Sequence, residues 1–212
     1  MIKIIGLCVG LTFVIFAPLA KAASPAIVDR PIAWTEYRER LAEEYALKHY
    51  GSRQTEIVPQ AVVIHWTASD NGESVYNWFN REAANDGTLQ VSSQFMVERD
   101  GTIYRFTPET KMNRHIIGYN HCAVGIENVG GATGKEDLTD AQLAADTELI
   151  RYLKRKYPSI RYVFGHYRQT AARASGLYRE LVPGYASQKI DPGEKFMQAL
   201  HETLKDDGLI FF

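Results

Sequence analysis

Three residues of the right types to hold a metal stand at places where a fold could bring them together. His65 follows the apolar run Ala61-Val62-Val63-Ile64, and His166 follows Ile160 to Phe164 and Gly165. Asp191 lies in Lys189-Ile190-Asp191-Pro192-Gly193, where Pro and Gly make a rigid turn. Two imidazoles and a carboxylate are a typical catalytic zinc set, with the fourth position left for water. A lone histidine after a strand is most often a satisfied core or surface residue, and ligands so far apart in sequence carry no local signature. Spacing alone therefore leaves both readings open.

The elements that must position these groups are legible from periodicity. Four consecutive apolar residues before His65 fit a strand buried on both faces, because a half-solvated strand would alternate. Open α/β sheets place their crevice beyond the carboxyl ends of the strands, where both histidines stand. Phe95 and Val97, the Asp100-Gly101 turn, then Ile103, Tyr104 and Phe106 give a hairpin signal, and Cys122 to Val129 a further strand. Helices are expected from Pro31 to Gly51 (Tyr37, Leu41, Tyr45 and Leu47 inward) and from Glu73 to Ala84 (Val75, Trp78 and Phe79 on one face, Ser69 or Asn71 as cap). Thr139 to Tyr157 carries Leu143, Leu149, Ile150 and Leu153 as its stripe, with Asp140 early and Lys154 to Lys156 late, as a helix dipole prefers. Glu194 to Leu204 closes the series, and Ala23 to Arg30 reads as an extended lead-in with little structure. The alternation predicts an α/β fold, a single mixed central β-sheet flanked by helices. No internal repeat or low-complexity tract interrupts it.

The start of the chain reads as a signal for export. A short positive start, an apolar run from Ile4 to Ala17 and Ala20-Lys21-Ala22 give the pattern of a signal peptide cleaved after Ala22. An uncleaved anchor is the rival, but Pro18 interrupts the run before it reaches the ~20 apolar residues of a spanning helix. Cys8 lies inside the run, which argues against a lipid-modified cysteine. Cleavage removes Lys3 and Lys21 from a chain with 24 basic and 25 acidic residues, so the mature charge is slightly negative and nothing favours nucleic acid. Cys122 is then the one remaining cysteine, so no internal disulfide can staple the fold. Stability must come from packing or a metal, and a soluble monomer without stable membrane insertion is expected.

Five ordered segments carry a resemblance: VIHWTAS (63–69), FMVERDGTIYRF (95–106), HCAVGIENVGG (121–131), VFGH (163–166) and KIDPGEKF (189–196). Over roughly residues 57–205 the chain resembles the type-2 N-acetylmuramoyl-L-alanine amidases, the zinc family that also includes peptidoglycan recognition proteins. The resemblance implies an amidase/peptidoglycan-recognition-like fold and a zinc amidase domain at 57–212, preceded by the signal peptide at 1–22 and an N-terminal extension with a helix at 23–56 that the residues themselves suggest. It implies that Zn2+ is held by His65, His166 and Asp191, that Glu127 is the carboxylate facing the metal-bound water, and that Lys189 lies near the substrate carbonyl. Glu127 interrupts a small and apolar strand, where burial should raise its pKa toward a range useful for proton transfer. His115, Asn120 and Arg168 are candidate substrate-binding residues.

Two departures stand out. Gln94 occupies a position where the family usually has histidine, which should alter packing or substrate contact. The stretch from Tyr167 to Gln188 is longer than in compact members, either a substrate-contacting surface or a plain surface excursion with a small turn of helix. The expected function is an exported, periplasmic or secreted, zinc-dependent amidase that cuts peptidoglycan or muropeptides between N-acetylmuramic acid and L-alanine. The alternatives are a non-catalytic peptidoglycan-binding module on the same fold and a zinc hydrolase of another amide. The complete set of three ligands with Glu127 and Lys189 favours the enzyme.

Overall fold

The computed structural model describes residues 24–212, and the expected signal segment lies outside the described residues. The lead-in is more ordered than composition predicts. Its β1 (Ile27–Asp29) is an edge strand that pairs in parallel with the Ile103–Arg105 strand, and Arg105 clasps Asp29 through Nε and Nη2 at 2.7 and 3.0 Å. Backbone hydrogen bonding to an existing sheet edge supplies the order that an alternating pattern would have announced.

Helix α1 (Glu36–Tyr50) begins at Thr35, whose hydroxyl accepts from the Tyr37 N–H, and ends at Gly51 in the left-handed conformation. It buries Arg38, Leu41, Ala42, Tyr45, Ala46 and His49, one continuous stripe at helical spacing. Tyr37 and Leu47, expected inward, are exposed: Leu47 falls off that stripe, and Tyr37 lies against the Arg40 guanidinium at the surface. The small Ala42 and Ala46 do the packing instead. After β2 (Ala61–Trp66), helix α2 (Gly72–Phe79) starts at the expected Asn71 cap but stops five residues before Ala84, where a tight turn with an Ala83–Leu89 bridge takes over. Of its apolar face, Val75 and Phe79 are buried while Trp78 is exposed.

The remaining elements are β3 (Phe95–Val97), β4 (Ile103–Arg105), β5 (Ala123–Asn128), α3 (Asp140–Lys156), β6 (Tyr162–Gly165), α4 (Glu194–Leu204) and β7 (Ile210–Phe211). Thr139 and Gln142 form a reciprocal capping box on α3. The short β7, which no sequence pattern announces, adds to β6 in parallel. Together the strands make one mixed seven-stranded sheet in the order β1-β4-β3-β5-β2-β6-β7, with β3 and β4 its antiparallel pair.

Strand β2 is buried along its whole length between two parallel neighbours, as its unbroken apolar run predicts. Alternation splits its side chains between two cores. Val62 and Ile64 join α1, α3 and α4 on one face; Ala61 and Val63 join Ile116, Tyr119, Cys122 and Phe164 on the other. Val62, Val63 and Ile64, each taken fully out of water, contribute about 1.5–3 kcal/mol apiece. Helix α1 thus belongs to the same core as the sheet.

Candidate active site

The same alternation decides where the polar residues go. His65 continues the parity of Ala61 and Val63, Glu127 that of Ala123 and Gly125, and His166 that of Tyr162 and Phe164. The register pairs His65 with Glu127 across β2 and β5 and Ile64 with Gly165 across β2 and β6. Three polar groups distant in sequence therefore form a row along one edge of one face. Asp191 reaches that row because its own carbonyl accepts from the Tyr167 N–H at 3.0 Å, tying the turn to the end of β6. Gly165 permits the approach: a Cβ there would stand 2.8 Å from the Pro192 ring and 2.7 Å from Tyr167.

At the floor of a cavity of about 910 Å³, His65 Nδ1 lies 2.9 Å from His166 Nδ1, and the Asp191 Oδ2 lies 3.2 and 3.1 Å from them. All three residues are buried, with exposures of 2, 7 and 7%. Four ligands about 2.0–2.1 Å from a tetrahedral zinc are separated by ~3.3 Å, close to this triangle. Lone pairs of two neutral imidazoles and a carboxylate converging on one point repel one another, and a cation between them relieves that repulsion. The donor set therefore fits zinc. Burial, together with any charge on His65, holds His166 down at about 4, so its ring is a neutral imidazole, with one lone pair to offer, at neutral pH. Burial acts upward on Asp191, yet the two imidazoles hold its carboxyl well below the usual carboxylate range.

Glu127 faces the same cavity from β5. Its Oε2 is enclosed without a hydrogen-bond partner, and burial pushes its carboxyl up to about 7, with His65 and Lys189 pulling down and Asp191 adding. A carboxyl poised there can take and return a proton near neutral pH. Lys189 is exposed on the rim, and among the described residues no carboxylate lies within 4 Å of its ammonium.

The other candidates part company. His115 lines the cavity, but both its ring nitrogens are engaged inside the protein, with His65 Nε2 at 3.0 Å and the Ala123 carbonyl at 3.2 Å. Asn120 is fully buried and serves the backbone: its Oδ1 accepts from the N–H groups of His115 and Ile116 at 2.9 and 2.8 Å. Arg168 turns to a different cavity beside Tyr167, 3.7 Å from Glu194, and does not line the main one. The Tyr167 to Gln188 stretch continues a short 3-10 turn that starts at His166 (His166–Arg168) and holds a second, Ala171–Ser175. Gln94 is buried, accepting from the Gly125 N–H at 2.7 Å and donating to the Lys111 carbonyl at 2.8 Å, so it is a packing residue.

Sequence reasoning missed three contributors. Trp78 and Arg114 line the cavity, although Trp78 reads as a core residue by periodicity. Asp146, fully buried on α3, accepts from Asn128 Nδ2 at 2.9 Å, and the same amide reaches the His65 carbonyl at 3.3 Å. Burial pushes the Asp146 carboxyl up to about 7. A polar residue at a stripe position of α3 was the available signal.

The comparisons with known proteins agree with this architecture. The chain is 29% identical over 107 residues to the endolysin of Enterobacteria phage T3, covering 46% of this chain and 68% of that protein. It matches the fold of the N-acetylmuramoyl-L-alanine amidase LysC of Clostridium intestinale with a TM-score of 0.56 at 22% identity, over 88% of this chain and 100% of that one. An endolysin of a Thermus scotoductus bacteriophage gives 0.52 at 17% identity, over 87% and 100%. With residues 54–194, from ahead of β2 to the start of α4 and so spanning every group at the cavity floor, matched by the family model described as N-acetylmuramoyl-L-alanine amidase, the chain belongs to that family.

Proposed function

We propose that this chain is an exported zinc amidase that hydrolyses the bond between N-acetylmuramic acid and the L-alanine of peptidoglycan. The observation that carries the reading is the triangle of His65 Nδ1, His166 Nδ1 and Asp191 Oδ2 beneath an open cavity, with the unpartnered Glu127 Oε2 facing the same space. His65, His166 and Asp191 would hold the metal. Zinc, when bound, supplies Lewis acidity toward water and toward a carbonyl oxygen.

The remaining work falls to the chain. Glu127 Oε2 takes the proton of the attacking water and hands it to the leaving amide nitrogen, a transfer that a carboxyl titrating near 7 can make in both directions. Lys189 places an ammonium over the cavity mouth, where it stabilises negative charge as it develops on the scissile carbonyl oxygen. The exposed indole of Trp78 and the guanidinium of Arg114 offer an apolar face and a cation to the sugar and stem peptide on either side of that bond. Family membership supports the substrate class, and the apolar stretch at the start of the chain supports export.

The test is to incubate the mature protein with purified sacculi and with soluble muropeptides, with and without a chelator, and to identify products by mass spectrometry. Release of free stem peptides with L-alanine at the amino end, abolished by the chelator and restored by zinc, is the expected result. Binding to sacculi without any product would instead make this a recognition module.

A further inference from the structure

His115 is bound into the site by a directed chain of hydrogen bonds, and the direction can be read without seeing a proton. The Ala123 carbonyl can only accept, so the His115 nitrogen 3.2 Å away, Nε2, must carry a hydrogen. A neutral His115 then has a bare Nδ1. That atom lies 3.0 Å from His65 Nε2, which must therefore donate. A neutral His65 with its hydrogen on Nε2 has its lone pair on Nδ1, the atom that points at His166 and Asp191.

We infer that His115 is a positioning residue that fixes the tautomer and ring orientation of His65 for metal binding, the backbone carbonyl of Ala123 setting the direction of the relay. The inference rests on the zinc reading above and assigns a role to a residue outside the ligand set. Groups that hold the far nitrogen of a metal-ligating histidine typically contribute about 10- to 100-fold in metal affinity.

Three further features hold His115 in place. Its N–H and that of Ile116 both donate to the buried Asn120 side chain, which fixes the loop. The two ring planes are nearly perpendicular, 86° apart with centroids separated by 5.2 Å, so the rings touch through their nitrogens and do not stack. Gly125 leaves the room: a Cβ there would come within 2.8 Å of the His115 ring. The Gly125 backbone is itself held by Gln94 through the 2.7 Å hydrogen bond already described. With both nitrogens consumed, His115 has none left to offer a substrate.

The test compares wild type, His115→Leu and His115→Gln. Leucine keeps the bulk and removes both polar functions; glutamine keeps one acceptor and one donor. Zinc affinity is measured by competition with a chromophoric chelator, and a thermal melt of each metal-free protein checks folding. The expected result is about a 10- to 100-fold weaker zinc affinity for His115→Leu and recovery to within a few-fold of wild type for His115→Gln. In parallel, nitrogen-15 shifts of the histidine rings at neutral pH should place the proton on Nε2 of His115 in both metal-free and zinc-loaded wild type.

A proton on Nδ1 of His115 reverses the relay and overturns the inference. So does unchanged zinc affinity in a folded His115→Leu, and a raised KM with that affinity intact would make His115 a substrate residue. Should His115→Leu fail to fold, the affinity of His115→Gln and the wild-type ring shifts still decide. Wild type that takes up no zinc overturns the zinc reading itself, a result distinct from equal uptake by wild type and variant.

Discussion

One wall of the cavity is made of strands and the other of turns. His65 and Glu127 stand on β2 and β5, central in the sheet, in register with each other and backed by Asn128 and Asp146. Asp191 and Lys189 stand in a turn that follows a stretch of 3-10 turns, and Gln188, Lys189 and Ile190 are all exposed. Asp191, by contrast, is buried, and its carbonyl is pinned to the Tyr167 N–H. The difference matches the tasks proposed for them. Groups that must keep fixed mutual distances gain from a rigid element, whereas a cation that meets a large substrate gains from an accessible turn.

The largest effect should come from the two buried histidines, His65 on the strand wall and His166 just past the end of β6. His65→Ala and His166→Ala are expected to abolish stoichiometric zinc uptake and activity together, measured by metal analysis after dialysis and by product release. Retained zinc in either variant would break the assignment of the triangle as the metal site. Glu127→Gln should keep its zinc and lose about 10²- to 10⁴-fold in turnover, because the amide preserves shape without accepting a proton. Wild type should show an acidic limb in kcat/KM at or below about pH 7, since a nearby cation can only lower the Glu127 value of about 7, and Glu127→Gln should lack that limb.

On the turn wall, Lys189→Met should lower kcat by about 10²- to 10³-fold with little change in KM and no loss of zinc. Damage confined to KM would place Lys189 in substrate binding and sharpen the contrast between the walls further.

Asp146 tests the backing of the rigid wall through stability. Its native carboxyl titrates near 7 against an ordinary value of 3.8, so the folded state holds the proton more tightly than the unfolded one. That contribution is complete below about pH 4 and is lost as pH rises through 7. Asp146→Asn, neutral at every pH, should therefore be more stable than wild type at pH 8 by on the order of 4 kcal/mol, with the advantage gone at pH 4. Urea melts at the two pH values measure it. The smallest effect is expected from Arg168→Ala, which should change KM and kcat less than about twofold because the side chain lies outside the cavity and its ion pair with Glu194 is exposed.

Much of this was legible in the chain. The run at Ala61 to Ile64 identified a strand buried on both faces, the capping and charge pattern identified α3, and Glu194 to Leu204 is helical with the bounds its periodicity suggests. These are local properties, written in propensity and spacing. The resemblance also singled out His65, His166 and Asp191, which the fold brings within hydrogen-bond distance of one another.

What only the tertiary structure decided are matters of register and of enclosure. Whether Glu127 stands beside His65 depends on how β5 aligns with β2, and a shift by one residue would have turned it to the opposite core. Order in Ile27–Asp29 and Ile210–Phe211 comes from neighbouring strand edges, which two or three residues cannot announce. Trp78 obeys the period of a buried face yet lies open, because the cavity is where the core stops. Asn120 and His115 carry polar side chains suited to a substrate, and enclosure by the loop and by β5 commits their hydrogen bonds to the protein instead. Sequence spacing fixes which residues share a face, while the partners waiting on that face are set by chain segments folded in from elsewhere.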